Sequence, residues 1–390
     1  MRARPGIIFI SLGLALLGRI PAVTAQGSVE GPTLIKLHQE MGGPRFAGLG
    51  GTYVGLGDDA STSRVNPAGL MTLPRSLDGV IAGGWSRRNG SGILALAARP
   101  HKLIAFSLRG GHTTREDLTP LTLDSRLPAI APSAAGWFYG GALAYRPFRR
   151  LSAGIALDHE TAALRPGLAT PGGPGSVGSR RGGWAFSAGL LFRSDNAEAP
   201  RIGFSYRRAV DEETQAERGA SGPAAGVFRI RTPSIYSAGV SWHYDFRNSR
   251  FLLTYQQDWV RYSELRPSRV IPGPHDDFDL RLGMEVSVPV LKQCHTGCGS
   301  MMQVRGALVS LAPVPFVADK ARLSPFGQGP DRRTSWTAGA SFAPRRPWGG
   351  RFKLDGAYSR PTRSWLFGIA ARYPESHRGD LSDVSTRRKR

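Results

Sequence analysis

Residues 278–288, FDLRLGMEVSV, alternate apolar with polar or small side chains over the whole stretch. Successive side chains of a β-strand point to opposite faces, so this pattern predicts a strand with one apolar and one polar face. Similar alternation occurs at 77–87, 92–99, 101–109, 135–146, 150–159, 183–193, 200–208, 234–244, 250–260, 301–312, 334–344, 350–359 and 363–373. We therefore predict an all-β protein, a transmembrane antiparallel β-barrel of about fourteen strands with its apolar face outward.

The connections between these segments alternate between long and short, apart from tight turns at 88–91 and 360–362. The long ones lie at 110–133, 160–182, 209–233, 261–277 and 313–333, and the short ones at 100, 147–149, 194–199, 245–249, 289–300 and 345–349. Bacterial outer-membrane barrels have short periplasmic turns and longer external loops. Aromatic residues gather at the strand ends, as they do at membrane interfaces. The alternative is a soluble β-sandwich with an aromatic core, but a sandwich does not require this asymmetry.

The N-terminus has the layout of a secretory signal peptide. Arg2 and Arg4 make a basic start, residues 7–17 are apolar, and Ala25 ends the stretch with a small side chain. We predict a signal peptide at 1–25, with an uncleaved anchor as the alternative. The apolar run is shorter than the roughly twenty residues that a membrane helix needs. An exported membrane protein of this kind is expected to be a barrel in the bacterial outer membrane.

The two cysteines, Cys294 and Cys298, lie close together in the sequence CHTGC. In an oxidising compartment this spacing favours a local disulfide. A metal site is less favoured, because the two cysteines and His295 offer few ligands in so short a turn. A haem attachment would need Cys-x-x-Cys-His, which the sequence lacks. We expect a disulfide, no metal and no cofactor.

The chain has a formal charge of +22, mostly from arginine. Such a charge can indicate nucleic-acid binding, but export and the spread of arginines along the whole chain argue against a nucleic-acid partner. We expect contact with the outer membrane and lipopolysaccharide, because arginine binds phosphate groups well. The basic end, 374–390, is predicted to be a periplasmic tail. The barrel is expected to be monomeric and to be inserted by the barrel-assembly machinery.

A segment at 26–76 precedes the barrel predicted at 77–373 and carries its own motif, GLGGTYVGLGDDA at 48–60 and NPAGL at 66–70. Glycines permit tight packing and positive φ, and Asn-Pro initiates turns. The candidate residues are Gly48, Gly50, Gly51, Asp58, Asp59, Asn66, Pro67, Ala68 and Gly69. A dinucleotide-binding loop is excluded because Tyr53 stands at the third glycine position. A wide barrel needs its lumen plugged or lined, so this segment is the candidate plug.

This motif resembles that of the FadL family of outer-membrane proteins, which transport long-chain fatty acids and hydrocarbons. The resemblance implies an N-terminal hatch, with Asn66, Pro67 and Ala68 in it, inside a barrel of about fourteen strands. It also implies that a hydrophobic substrate enters from outside and leaves sideways through a wall opening near the third strand. The related PorV and PorQ proteins of the type IX secretion system share the motif. A docking or assembly role in protein secretion is therefore the alternative function.

Passive uptake of a hydrophobic small molecule, a long-chain fatty acid or a hydrocarbon, is the leading functional hypothesis. Burial of each CH₂ contributes about 0.8 kcal/mol, so long chains bind apolar pockets readily. The inward face is predicted to carry Asp279, Arg281, Glu285 and Arg305, either as a salt-bridge network that holds the hatch or as a site for an anionic head group. An enzyme is not expected, and no catalytic residue is predicted, because the sequence lacks Gly-x-Ser-x-Gly and His-Glu-x-x-His.

Overall fold

The protein is described by a computed structural model that covers most of the barrel and the segment before it. The described residues are 29–30, 42–73, 76–85, 89–115, 133–165, 182–194, 199–208, 210–215, 227–246, 249–264, 276–289, 301–311, 333–343, 352–359 and 364–374. They include a short helix α1 at Pro44–Gly48 and 3₁₀ helices at Ala60–Arg64, Pro67–Thr72 and Tyr262–Glu264. Within these ranges, none of the helices combines the length and the apolar character that crossing a membrane requires.

The remaining regular structure is β-strand. In chain order the strands are β1 (Val29–Glu30), β2 (Ser76–Trp85), β3 (Asn89–His101), β4 (Ile104–Arg115), β5 (Ser133–Phe148), β6 (Leu151–Arg165), β7 (Gly183–Arg193), β8 (Arg201–Arg207), β9 (Val210–Gln215), β10 (Val227–Thr232), β11 (Ser234–Phe246), β12 (Ser249–Arg261), β13 (Asp277–Pro289), β14 (Met301–Leu311), β15 (Arg333–Ala343), β16 (Phe352–Ser359) and β17 (Ser364–Pro374).

Fourteen of these strands close into one antiparallel barrel. Each pairs with the next barrel strand in sequence: β8 pairs with β11, and β17 pairs with β2 to complete the circle. The predicted fold class and strand number are confirmed. The third barrel strand, β4, is predicted at 101–109 but runs from Ile104 to Arg115. The difference arises because the turn falls at 102–103 and the strand continues through its two glycines.

Side chains alternate between an exposed outer face and a buried inner face, as the FDLRLGMEVSV pattern predicts. On β13, Leu282 and Met284 are 45% and 54% exposed, whereas Asp279 and Glu285 are 1% and 3% exposed. The outer surface is therefore apolar and the inner wall is polar or small. A closed sheet satisfies all of its backbone hydrogen bonds internally, so such a surface can face lipid.

The two ends of the barrel differ. The start of β2, the end of β17 and most of the short connections lie at one end, which we call the turn end. The long connections lie at the other, the loop end, together with the two short connections at 86–88 and 360–363. Aromatic rings contact one another around the loop end. The contacts join Trp137 and His112, Tyr139 and His159, His159 and Trp184, Tyr206 and Tyr236, Tyr236 and Trp259, Trp336 and Tyr358, Tyr358 and Trp365, and Trp85 and Phe367. This ring matches the aromatic girdle of membrane barrels.

A small second sheet departs from the sequence prediction. The connection predicted as a loop at 209–233 contains β9 and β10, which pair antiparallel, and β1 adds to β10 in parallel. The sequence does not indicate β9, because Asp211, Glu212 and Glu213 leave it without apolar alternation. In β10 the alternation covers only four residues, Phe228 to Arg231.

Residues 42–73, which we call the inner segment, lie inside the barrel. Its bonds reach opposite sides of the wall: Thr337 Oγ1 donates to the Gly48 carbonyl at 3.0 Å, and Asn66 Nδ2 donates to the Leu190 carbonyl at 3.0 Å. Most of its side chains are buried. Wall glycines permit this close fit, because a Cβ on Gly203 would lie 1.9 Å from the Val54 carbonyl oxygen.

Candidate functional site

The glycine-rich part of the inner segment makes its tight turns at the predicted glycines. Gly50 and Gly51 adopt φ of 64° and 83°, which other residues rarely adopt. There is no room for a side chain at Gly48, because a Cβ there would lie 2.6 Å from Arg305 Cδ. The turn thereby brings the segment's backbone against the wall at β13 to β15.

The two adjacent aspartates have different contacts. Asp58 forms a close ion pair with Arg45 on α1. Burial favours a higher pKa for the Asp58 carboxyl, but the Arg45 charge outweighs it and holds that pKa below its usual range. Asp59 instead caps the first 3₁₀ helix by accepting from the Ser61 backbone N–H at 2.9 Å, and it accepts from the Tyr53 hydroxyl at 2.7 Å. Both aspartates therefore stabilise the fold of the inner segment.

The Asn-Pro-Ala-Gly motif caps the second 3₁₀ helix and ties it to the wall. Asn66 accepts from the Ala68 backbone N–H at 3.1 Å and donates to the carbonyls of Val54 and Leu190 at 2.7 and 3.0 Å. Pro67 takes the first helical position, where a missing N–H costs nothing. Gly69 lies against the inner segment itself, because a Cβ there would lie 2.7 Å from Gly57 Cα.

Arg281 is surrounded by carboxylates of the wall. Its guanidinium lies 3.2 Å from Asp258 and 3.6 Å from Asp279, and it donates to the Gly50 carbonyl at 3.2 Å. Asp258 and Asp279 are direct cross-strand partners on β12 and β13. A like-charge pair opposite one another is destabilising, so Arg281 both neutralises these carboxylates and contacts the inner segment.

Glu285 and Arg305 form a second cluster. Arg45 donates to both Glu285 oxygens, at 2.8 and 2.9 Å, in the bidentate geometry that makes such pairs strong. Arg305 lies 3.5 Å from Glu285 and 2.8 Å from Asp355 on β16. The four predicted lumen residues thus lie on two neighbouring strands, and each is paired with an opposite charge.

A third cluster, on the other side of the lumen, was not predicted. Arg64 of the inner segment donates to Glu160 on β6 at 2.9 Å, and Arg207 also pairs with Glu160. Beside them, Arg109 on β4 binds Asp158 through two bonds of 3.0 and 2.8 Å. One sequence feature could have indicated this cluster: Asp158 shares a strand face with small residues, and the alternation predicts that this face points into the lumen.

The inner segment also has an apolar contact with the wall. Leu70, Met71 and Leu73 pack against the inner faces of β2 to β6. That wall consists mostly of small side chains: Val80, Ala82, Ile93, Ala95, Ala97, Ala105, Phe138, Ala142, Ala144 and Ala156. Apolar contacts therefore dominate on the β2 to β5 side, where Arg99 and Arg146 also donate to the carbonyls of Leu73 and Met71. The ion pairs of the segment lie with β13 and, through Arg64, with β6.

A cavity of about 770 Å³ lies between the inner segment and the wall. Its lining includes Arg45, Asp58, Arg201, His243, Lys353 and Asp355. The wall residues among them lie near the turn-end limits of their strands, so the cavity is at the turn end. Pockets for small molecules commonly have volumes of about 300–1,000 Å³.

Three predictions fall outside the described residues: the disulfide between Cys294 and Cys298, the signal peptide at 1–25, and the basic tail beyond Pro374. Across the ranges that are described, His, Cys, Asp and Glu side chains form no group of three suited to a metal ion.

The fold matches solved membrane channels, although no family model and no curated protein matches the sequence. The CymD monoaromatic hydrocarbon channel is similar at a TM-score of 0.57 and 13% identity, over 87% of this chain and 99% of that chain. A Pseudomonas aeruginosa FadL homologue is similar at a TM-score of 0.53 and 13% identity, over 89% of this chain and 97% of that chain. At this identity the likeness establishes the fold.

Proposed function

The chain has the fold of the FadL-type outer-membrane transporters, as its motif at 48–70 predicts, and on this basis we propose that it is a channel for passive uptake of hydrophobic small molecules. The fold agrees with a location in the bacterial outer membrane. The substrate classes are long-chain fatty acids and hydrocarbons. The proposed role requires no reaction, so it assigns no catalytic residue.

The observation that carries this proposal is the apolar contact between the inner segment and the wall of β2 to β6. Leu70, Met71 and Leu73 are fully buried against a wall of small side chains such as Ala95 and Ala97. If the segment withdraws from this wall, it exposes an apolar surface that can accept an alkyl chain or an aromatic ring. The inner segment would then act as a hatch, within the domain at 26–76.

A pair of disulfides tests this role, each placed in a chain with Cys294→Ser and Cys298→Ser. In the first, Gly43→Cys and Val80→Cys tie the segment to β2; a Cβ on Gly43 would lie 3.1 Å from Val80 Cγ1, so the two side chains would be in contact. In the second, Thr52→Cys and Thr254→Cys tie it to β12, where the two hydroxyl oxygens are 2.6 Å apart.

Uptake of a radiolabelled long-chain fatty acid and of toluene would be measured in cells that lack their own transporters, before and after reduction. We expect the β2 tie to block uptake until it is reduced. The β12 tie serves as the matched control and should leave uptake unchanged, because the polar contacts on that side need not break. Normal uptake with the β2 tie fully formed would contradict the hatch role.

We also propose that substrate leaves sideways near the third barrel strand, β4. The β3–β4 ladder shifts register between Ala98 and His101, and Pro100, at this point, has no N–H to donate. A cross-strand disulfide from Ala97→Cys and Ser107→Cys, which are ladder partners, should then block release. The control is Ser241→Cys with Thr254→Cys, ladder partners on the far wall. Equal uptake with both disulfides formed would argue against this exit.

A docking role in protein secretion is the second candidate, and the basic tail at 374–390 is the feature that favours it. Deletion of 375–390 separates the two functions. Lost secretion with normal hydrocarbon uptake would favour docking, whereas normal secretion with lost or unchanged uptake would not.

The remaining assignments are proposals as well. Cleavage of the signal peptide at 1–25 predicts a mature N-terminus at Gln26, which N-terminal sequencing would identify. A disulfide between Cys294 and Cys298 predicts that thiol reagents label neither cysteine before reduction. A monomeric barrel inserted by the barrel-assembly machinery, in contact with lipopolysaccharide, predicts one chain per particle in native mass spectrometry.

A further inference from the structure

Two arginines face each other on the inner wall at the turn end. Arg193 and Arg201 are direct ladder partners on β7 and β8. Both continue the inward-facing series of their strands, which includes the buried residues Leu191 and Gly203. Like charges directly opposite one another across a sheet are destabilising.

Arg146 on β5 adds a third positive charge. It continues the inward series that includes the buried residue Ala144, and it lies within electrostatic range of Arg193. We call Arg146, Arg193 and Arg201 the arginine arc. Throughout the described ranges, none of the three forms an ion pair with a carboxylate; Arg146 donates to the Met71 carbonyl, and Arg201 makes a long bond of 3.4 Å to the Leu56 carbonyl.

Charged residues at other positions of the inner wall lie next to a residue of opposite charge. The ladder partners Asp258 and Asp279 share the cation Arg281, and Glu285 stands directly opposite Arg305. These inward-facing charges are therefore neutralised by a neighbour. In the arginine arc, by contrast, the carboxylate within electrostatic range of Arg201 is Asp58, which Arg45 already pairs with, so the three cations are not matched by an equal number of anions.

We propose that the arginine arc is a binding site for an oxyanion, the carboxylate or phosphate group of an amphiphile or a free ion of the same chemistry. Guanidinium groups bind such oxyanions through paired, charge-assisted hydrogen bonds. Arg201 also lines the turn-end cavity, whose apolar lining includes Val80, Leu252 and Ala370. An amphiphile can thus place its head group on the arc and its chain in the cavity.

Occupancy of this site acts on the inner segment. Arg146 donates to the Met71 carbonyl and Arg201 to the Leu56 carbonyl, so the arc contacts the inner segment at two points. An oxyanion offers an arginine a second, parallel hydrogen bond and an opposite charge, neither of which a single neutral carbonyl provides. A bound oxyanion therefore competes for both arginines and loosens the segment at the turn end. This inference deepens the proposed function, but binding itself requires no transport.

The test is isothermal titration calorimetry on the purified full mature chain in an uncharged detergent, with octanoate, octanol and inorganic phosphate as separate probes. We expect octanoate to bind and octanol to bind at least tenfold more weakly. Arg193→Gln and Arg201→Gln should each weaken octanoate binding about tenfold or more, the effect of losing one charged hydrogen bond. Arg149→Gln is the matched control, because it removes the same charge from an exposed turn at the same end.

Phosphate distinguishes the two sources of the oxyanion. Phosphate binding that equals octanoate binding assigns the site to free ions, and tighter octanoate binding assigns it to a head group with a chain; both support the arc. Equal affinity for octanol and octanoate, or unchanged octanoate affinity in both arc variants, overturns the proposal. Heat-modifiable mobility on a gel verifies that each variant is a closed barrel, and uptake in cells, measured separately, tests the channel.

Discussion

Replacement of Gly189 by alanine tests how the inner segment is held. A Cβ at this position of β7 would lie 2.0 Å from Asn66 Oδ1, whereas ordinary contacts begin near 3.4 Å. Asn66 must therefore move, and it loses its bonds to the carbonyls of Val54 and Leu190. Each buried group left without its partner costs about 1–3 kcal/mol, so we expect the inner segment to be destabilised by roughly 2–4 kcal/mol.

The barrel itself should remain closed, because the ladder of β7 is unaffected. The assay is the rate at which a small thiol reagent labels Ser63→Cys, a fully buried position on the inner segment, in the chain with Cys294→Ser and Cys298→Ser. When labelling requires opening, the rate follows the opening equilibrium. A loss of 2–4 kcal/mol then raises the rate between roughly 30-fold and 700-fold.

Gly306→Ala is the matched control. This wall glycine would place its Cβ 3.5 Å from the Thr337 carbonyl oxygen, an ordinary contact, so labelling should change less than about threefold. An unchanged labelling rate in Gly189→Ala, with the barrel closed on a gel, would refute the conclusion that Asn66 fastens the segment to the wall.

Three further predictions concern the wall and the motif. Asn66→Ala should raise the labelling rate of Ser63→Cys at least as much as Gly189→Ala does, since it removes the same bonds, and a smaller effect would point to steric displacement alone. Arg109→Met should lower the free energy of unfolding by about 3–5 kcal/mol, because it leaves Asp158 buried without its partner, whereas Arg250→Met should cost less than about 1 kcal/mol because its pair with Asp245 is exposed; urea unfolding in lipid vesicles measures both. Leu108→Arg, on the outer face within β4, should cost about 2–4 kcal/mol in the same assay, and Leu77→Arg, next to the start of β2, about 1 kcal/mol or less. Equal costs would contradict the expectation that Leu108 lies closer to the bilayer midplane than Leu77.

The sequence predicts the barrel well because its signal is local. Alternation within a segment such as 278–288 is sufficient to assign both the strand and its outward face. The alternation of long and short connections indicates which end of the barrel each strand end occupies. The sequence did not predict the short sheet of β9 and β10, because β9 has no apolar face and the alternation of β10 is confined to four residues, Phe228 to Arg231. The ion pairs could not be predicted because their partners are far apart in the sequence: Glu285 binds Arg45 from 240 residues away, and Glu160 binds Arg64 from 96 residues away. Alternation indicates that a charge faces inward, but only the closed barrel determines which charge it meets.

The contacts of the inner segment also predict the direction in which it moves. On the β12 to β16 side, withdrawal would separate Arg45 from Glu285 and leave buried charges without partners, a cost of several kcal/mol. On the β2 to β5 side, it would separate Leu70 and Met71 from small apolar side chains, and an apolar solute entering the gap would restore most of that burial. It would also break the bonds of Arg99 and Arg146 to neutral backbone carbonyls, but no ion pair with β2 to β5. A hydrophobic substrate therefore stabilises the second movement and does nothing to offset the first. The two ties between segment and wall test this asymmetry directly: a channel blocked equally by the β2 and β12 disulfides would mean that the segment leaves the lumen as a whole, with its ion pairs broken.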